Sequence, residues 1–402
     1  MDHKSQPVPS DLLLDVTRLI WRRWAGRHPT GIDRVALAYA RYYQTRARAV
    51  IQYPRFRRIL PAALSAKLFA LLLGDQPNFR RRFVFFAMTH IHRAVKSQPS
   101  YGQYYLNVGH TGLNHPGHLT WVQKTGVKPL YLIHDLIPIT HPQFCRDGEA
   151  EKHIARMTIM LRAAHGVIGN SQDTISILAE FAKAHGLAMP QNIFAHLGTA
   201  QTAAITHGAP AAMDKPYFVM LSTIEGRKNH AMLLDLWAGM IAAKRANIPR
   251  LVIIGQRGWR AEDVIRRLDH DIALKPYVAE FSQLDDAQIG TYLRGARALL
   301  FPSFAEGYGM PLAEALVAGT PVIASHLAVF REIAGDIPEY LNPDDTAGWR
   351  DRILRYAADP SPDRDQQLMR MARLKLTSWP DHFDKIDAWL SALRDTETGK
   401  LS

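Results

Sequence analysis

Short β-rich apolar runs alternate with longer helix-period stretches along nearly all of this 402-residue chain, and that alternation constrains the fold more than any other feature. Repeated strand–helix–strand order dictates mostly parallel sheets joined by right-handed crossovers. In the first half the strand candidates are 12–16, 49–53, 104–108, 129–134, 166–169 and 193–196. In the second half they are 217–221, 250–254, 278–281, 298–301 and 321–324. Helical patterns lie between them, among them 32–43, 148–163 and 172–185, the last preceded by Ser171 as an N-cap. The periodicities break at 206–216, THGAPAAMDKP, where small, polar and proline residues make a linker. The expected fold class is therefore α/β with two doubly wound, Rossmann-like domains. Residues 1–205 form the first, 217–375 the second, and 376–402 a C-terminal helical segment. Loops should gather at the strands' carboxyl ends, with ligands between the two halves.

Charge is the unusual part of the composition. The excess of Lys and Arg, 49 against 37 Asp and Glu, gives +12. Residues 1–205 hold 25 basic and 11 acidic side chains, a net of +14, and the remainder 24 and 26, a net of −2. The whole excess belongs to the first half, which suits a polyanionic partner or an anionic membrane surface. At 47% hydrophobic and 21% charged the chain is an ordinary globular one, not a disordered one. A single cysteine, Cys145, excludes an internal disulfide and fits a reducing cytoplasm. The N-terminal residues lack a signal-peptide pattern, and no run nears 18 apolar residues. Helix-turn-helix, zinc-knuckle and RNA-recognition signatures are missing as well, so no nucleic-acid partner is expected.

One segment interrupts the alternation. Residues 54–96 carry an apolar stretch, 59–73, between two arginine clusters, Arg55, Arg57, Arg58 and Arg80, Arg81, Arg82. It reads either as an interfacial helix on an anionic membrane or as core helix whose Leu68, Leu71 and Leu72 pack inward while the arginines are solvated.

The most specific passage is FPSFAEGYGMPLAEALVAGTPVIAS, 301–325. A strand ends in a glycine-containing loop, Pro311 opens a helix and Gly319 ends it. Free backbone N–H groups then lie beside Gly307 and Gly309, where a phosphate or sugar oxygen approaches closely. Glu306 and Glu314, eight positions apart, would grip different parts of one extended ligand.

This passage resembles retaining glycosyltransferase family 4, whose fold is GT-B, through its E-x7-E signature. Three further passages agree in order: STIEGRKNH at 222–230, LVIIGQRGW at 251–259 and GARALLFPS at 295–303. In the first half Thr30-Gly31-Ile32 is similar to the family's N-terminal glycine loop, although Asp33-Arg34 stands where relatives commonly carry a second glycine. YLIHDLIP at 131–138 is similar to the family's histidine motif.

The resemblance implies transfer of a hexose from a nucleotide diphosphate sugar, GDP-mannose favoured, with retention of configuration and without metal or other cofactor. Arg227 and Lys228 would neutralise the donor pyrophosphate. Glu306, with backbone amides of Gly307, Tyr308, Gly309 and Met310, would hold the sugar, and Glu314 the ribose. His134 would face the reacting carbon and Gly31 the phosphates. The acceptor would be a glycan or a polyprenyl-diphosphate-linked saccharide, bound by the basic first domain, and the protein would sit peripherally at the inner face of the cytoplasmic membrane. Hinge motion at the linker, and a C-terminal helix returning to the first domain after Trp379, are also implied. Asp135 reads as a turn-capping residue, His110 and His115 as loop residues rather than metal ligands. Trp21, Arg22, Arg23 and Trp24 are acceptor-groove candidates. The competing readings are a sugar-nucleotide epimerase or starch- or sucrose-type synthase on the same fold, and a basic nucleic-acid-binding protein.

Overall fold

The computed structural model describes residues 12–26, 31–53, 56–74, 77–91, 102–115, 117–199, 209, 211 and 213–398. Two compact units divide the chain: unit 1 comprises 1–134, 151–195 and 383–402, and unit 2 comprises 135–150 and 196–382. Thr30 and residues 206–208, 210 and 212 of the expected linker lie outside the described residues.

Unit 1 is built on seven strands: β1 Leu12–Asp15, β2 Ala47–Tyr53, β3 Phe56–Ile59, β4 Tyr104–Asn107, β5 Lys128–Ile133, β6 Gly166–Gly169 and β7 Gln191–Phe194. Their order across the sheet is β3-β2-β1-β4-β5-β6-β7. All neighbours are parallel except β3, an antiparallel edge strand on β2. The sheet's middle is buried on both faces, β1 and β4 completely, as a parallel sheet covered by helices requires. Helices α1 Thr17–Ala25, α2 Gly31–Tyr43, α3 Ala62–Leu73 and α4 Phe79–Phe86 precede or follow the first strands. Leu68 and Leu72 of α3 are fully buried, so the apolar stretch after the first arginine cluster packs into the core rather than presenting a lipid face.

Unit 2 has six parallel strands: β8 Tyr217–Leu221, β9 Arg250–Ile254, β10 Val278–Phe281, β11 Leu299–Phe301, β12 Val322–Ser325 and β13 Glu339–Leu341. Their order is β10-β9-β8-β11-β12-β13, so the order reverses between β8 and β11. Phe218, Met220, Leu251, Ile253 and Leu300 pack against Leu233, Trp237, Ile353 and Tyr356 beneath them. At roughly 1.5–3 kcal/mol for each buried large apolar side chain, such a core outweighs any single surface contact.

The units do not follow a single cut at the linker. Residues 135–150, expected in the first domain, belong to unit 2, where Phe144 stacks on Phe304 at 5.2 Å. There the Trp259 indole N–H donates to the Phe144 carbonyl at 3.2 Å, and Arg260 Nε to that of Cys145 at 3.0 Å. The last helix starts at Trp379, not after it, and from Phe383 onward it belongs to unit 1. Phe383 stacks on Tyr42 at 4.0 Å, and Asp387 accepts from the hydroxyls of Tyr42 and Tyr43 and from Arg46 at 2.6–2.9 Å. Asp387→Ala orphans two hydroxyls and a guanidinium at once. Unit 1 should lose about 2–4 kcal/mol of stability, read by urea unfolding followed by circular dichroism.

Candidate functional site

Ligands in doubly wound sheets bind beyond the carboxyl ends of the strands, at the point where strand order reverses. In unit 2 that point lies between β8 and β11, and the loops leaving those strands carry Arg227, Lys228 and Glu306. The loop after β8 is strapped to the one after β9 through an isolated bridge between Ile224 and Arg257, with Ile224 N–H donating to Gln256 O at 2.9 Å. It is tied to the loop after β11 by Phe304 N–H, which donates to Arg227 O at 2.8 Å. Three loops are thus fixed to one another by main-chain bonds, so the side chains they carry have little freedom left.

Those side chains form a buried charge cluster. Glu306, its side chain 7% exposed, accepts from Arg227 Nη1 at 3.0 Å, from Ser303 Oγ at 2.7 Å and from the Lys228 ammonium. Arg227 also donates to Glu225 at 3.0 Å and to the Ala305 carbonyl at 2.9 Å. Burial opposes ionisation of Glu306, but Lys228 and Arg227 overrule it and hold the carboxyl down at about 2. Burial, then the adjacent guanidinium, push Lys228 below its usual value despite the carboxylate it touches. Glu225 is raised, by burial first, against the pull of Arg227. Sequence reasoning expected the two cations to face a pyrophosphate and Glu306 a sugar. The structure pairs them with each other, so both cations are desolvated and held in place by Glu306. Glu225 and Ser303 were not singled out from sequence, although both sit inside quoted motifs.

Next to the cluster, burial and the Lys228 charge push His230 down to about 3. A histidine that folds neutral contributes stability fully present above its unfolded value and lost as pH falls toward the folded one. Unit 2 should therefore lose up to about 1.4 kcal/mol per pH unit between pH 6.5 and 3 through this residue alone. Denaturant midpoints measured across that range should fall less in His230→Asn.

The signature helix, Met310–Val317, starts at Gly309, whose φ of 101° is open to glycine. A Cβ there would meet Phe330 Cε1 at 2.6 Å, so the residue fixes both the turn and its contact with the aromatic below. Pro311 lies in the first turn, and Glu314, 8% exposed, is one turn in. Tyr308 is buried and its hydroxyl donates to Leu197 O at 2.9 Å, so it anchors the loop rather than opening it. Gly307 and Met310 are partly exposed.

In unit 1, Gly31 opens α2. Asp33, at the position that departs from the glycine-loop pattern, is 1% exposed and accepts from Arg18 at 2.7 Å and Arg22 at 2.6 Å. That pairing makes it structural and removes Arg22 from the free cations. His134, 5% exposed, follows β5 and bonds through Nε2 to Val108 O at 2.7 Å; a carbonyl only accepts, so Nε2 carries a proton. Its ring lies 5.4 Å from that of His110, which lies 6.5 Å from that of His153. Burial and then the His134 and His153 charges hold His110 well below its usual value. Among the described residues no three or more His, Cys, Asp or Glu side chains are placed to hold a metal ion.

A second group escaped the sequence reading. At the reversal point of this sheet, between β1 and β4, Asp15 accepts from Tyr105 at 2.8 Å and from Gln52, which accepts from Arg57 Nε at 2.7 Å. Burial raises Asp15. Its four members are scattered over 90 positions, so no local motif announces them. Asp135 accepts from Ile137 N–H at 3.1 Å, the turn-capping bond expected of it. Arg80 donates to Trp24 O at 2.6 Å, Arg23 to Leu72 O and Gly74 O, and Arg81 and Arg82 are exposed.

Residues 204–367, which contain every element of the charge cluster and the signature helix, match the family model of glycosyl transferases group 1. Over those residues the chain is similar to the group 1 glycosyl transferases. The four second-half motifs fall within the matched residues, and the two first-half motifs, at 30–32 and 131–138, lie outside them. Among curated proteins the chain is similar to the serotype-specific mannosyltransferase WbdA of Escherichia coli, 28% identical over 249 residues, covering 56% of this chain and 30% of that protein. It is also similar to the O-antigen chain mannosyltransferase B of the same organism, 29% identical over 163 residues, 40% of this chain and 42% of the relative. The chain thus spans less than half the length of either. Among solved structures, Anabaena HepE in complex with UDP-glucose matches with a TM-score of 0.65 at 14% identity, over 95% of this chain and 99% of that one. The two Rossmann-like units therefore make up a GT-B fold. No helix among the described residues is long and apolar enough to cross a membrane.

Proposed function

We propose that the protein is a retaining, metal-independent glycosyltransferase that moves a hexose, in the first place mannose from GDP-mannose, onto a hydroxyl of a glycan or lipid-linked oligosaccharide in surface polysaccharide synthesis. The observation that carries this reading is the buried Arg227–Lys228–Glu306 cluster at the strand-order reversal of unit 2. As the bond from the anomeric carbon to the diphosphate oxygen breaks, charge grows on the leaving group. Arg227 and Lys228 sit preorganised in a desolvated place where such charge is strongly stabilised. The acceptor oxygen bonds to the same face of the sugar, and its proton passes to the departing phosphate oxygen.

Glu306, ionised beside Arg227 and Lys228, accepts from hydroxyls of the donor sugar. Amides from Gly307 to Met310 assist it, Glu314 takes the ribose hydroxyls, His134 meets the sugar at the reacting carbon and Gly31 the phosphates. The mannosyltransferase relatives support the sugar and the O-antigen relative the kind of product; the UDP-glucose complex of a structural neighbour makes UDP-glucose the main competitor. A lipid-diphosphate acceptor would place the protein peripherally on the inner face of the cytoplasmic membrane.

A thermal-shift panel of nucleotide sugars followed by proton NMR of the product tests the reading. GDP-mannose should stabilise most, and the product should be the α-mannoside. Stabilisation by none of the sugar nucleotides sinks the function, and a β-linked product sinks retention.

A further inference from the structure

Among the described residues eight large hydrophobic side chains are exposed, and six of them fall between positions 21 and 88. They fall on two neighbouring elements, α1 with the end of β2, and α4 with the turn after it. Trp21 stacks on Tyr53 at 6.1 Å, and Trp24, three residues along the same face of α1, meets Phe83 edge-on at 6.3 Å. Helix α4 and the turn after it then carry Val84, Phe85 and Met88 outward, the last two 70% and 72% exposed. Positions 84, 85 and 88 share one helical face, with Arg81 and Arg82 one turn earlier, both exposed.

We infer that this surface of α1 and α4, and not the apolar helix α3, is a docking face for an anionic lipid bilayer. Phe85 and Met88 enter the acyl boundary, Trp21, Trp24 and Tyr53 lie at headgroup level, and Arg81 and Arg82 contact lipid phosphates. The arginines select the occupant. A purely apolar partner would leave two guanidiniums desolvated beside it, whereas a headgroup layer supplies anions at the depth where the arginine row meets the aromatics. Tryptophan and tyrosine favour that same interface. The +14 balance of the first 205 residues adds long-range attraction of the right sign. This deepens the membrane-facing part of the reading above and does not depend on the donor.

Co-sedimentation of the full chain with phosphatidylcholine vesicles, with and without phosphatidylglycerol, tests it. Wild type should partition onto the anionic vesicles. Arg81→Gln with Arg82→Gln should weaken that binding roughly thirty-fold and leave the neutral vesicles unaffected. Phe85→Ser with Met88→Ser should weaken binding to anionic vesicles about ten-fold or more. Both variants should keep the wild-type melting curve and bind nucleoside diphosphate as before, because no donor-site residue is touched. Equal vesicle binding by wild type and both variants overturns the proposal. So does a wild type that ignores vesicles but is dimeric by light scattering, with the serine variant monomeric, which would make the face a contact between copies. Vesicle binding that falls in both variants stands even if no sugar nucleotide binds the protein.

Discussion

Glu306→Gln should lower kcat by about 10²–10³ and erase the affinity difference between a sugar nucleotide and the bare nucleoside diphosphate, without weakening the diphosphate itself. The asymmetry follows from the ion pairs. Glu306 pairs with Arg227 and Lys228 and on the proposed reading competes with a diphosphate for them, so neutralising it frees both cations for phosphate while removing the acceptor for sugar hydroxyls. The variant should also be less stable at neutral pH by about 3 kcal/mol, since breaking a buried pair leaves charge uncompensated. With its carboxyl at about 2 against an ordinary 4.5, Glu306 contributes stability that is present above pH 4.5 and lost as pH falls toward 2. Glu306→Gln should therefore lose part of the wild type's acid sensitivity in that window. Titration calorimetry with both ligands, together with urea unfolding at pH 7 and pH 3, reads all of these effects. A variant that binds both ligands like wild type and turns over normally contradicts the assigned role.

Lys228→Ala should have the opposite binding signature. It removes a desolvated cation at the place where the leaving group's charge grows, so kcat/KM should fall by about 10³ and nucleoside-diphosphate affinity should fall with it. Stability should suffer less than in Glu306→Gln, because Arg227 still compensates Glu306. Steady-state kinetics and calorimetry on one preparation separate the two variants: one loses sugar discrimination and keeps phosphate affinity, the other loses phosphate affinity.

The sequence shows the parallel strands clearly because strands buried on both faces are continuous apolar runs: 166–169, 217–221 and 250–254 coincide with β6, β8 and β9, and 278–281 with β10, a partly exposed edge strand. It hid β3, where Arg57 and Arg58 occupy an antiparallel edge and read as a charge cluster, and β13, only three residues long. Ser171 caps its helix by accepting from Thr174 N–H at 3.0 Å, because capping is a local bond between near neighbours. Arg227, Lys228 and Glu306 were legible through fixed spacings within two motifs. That they bind one another was not, since a distance across 78 positions is set by which strands are neighbours in the sheet. The two apolar segments of 54–96 show the same limit. AALSAKLFALLL is the more hydrophobic to read, yet it is Phe85 and Met88 of the arginine-rich one that face outward, because α3 packs inward through Leu68 and Leu72.

On the proposed mechanism two buried cations and a buried carboxylate catalyse departure of a nucleoside diphosphate without a metal. The measurement closest to it is nucleoside-diphosphate release from GDP-mannose and, in parallel, UDP-glucose, in EDTA, with and without a mannose-terminated glycan acceptor. Acceptor-dependent release with one donor, undiminished by EDTA and lost in Lys228→Ala, is expected on this mechanism. Release that stops in EDTA and returns with added divalent cation, or that persists in Lys228→Ala, would contradict it.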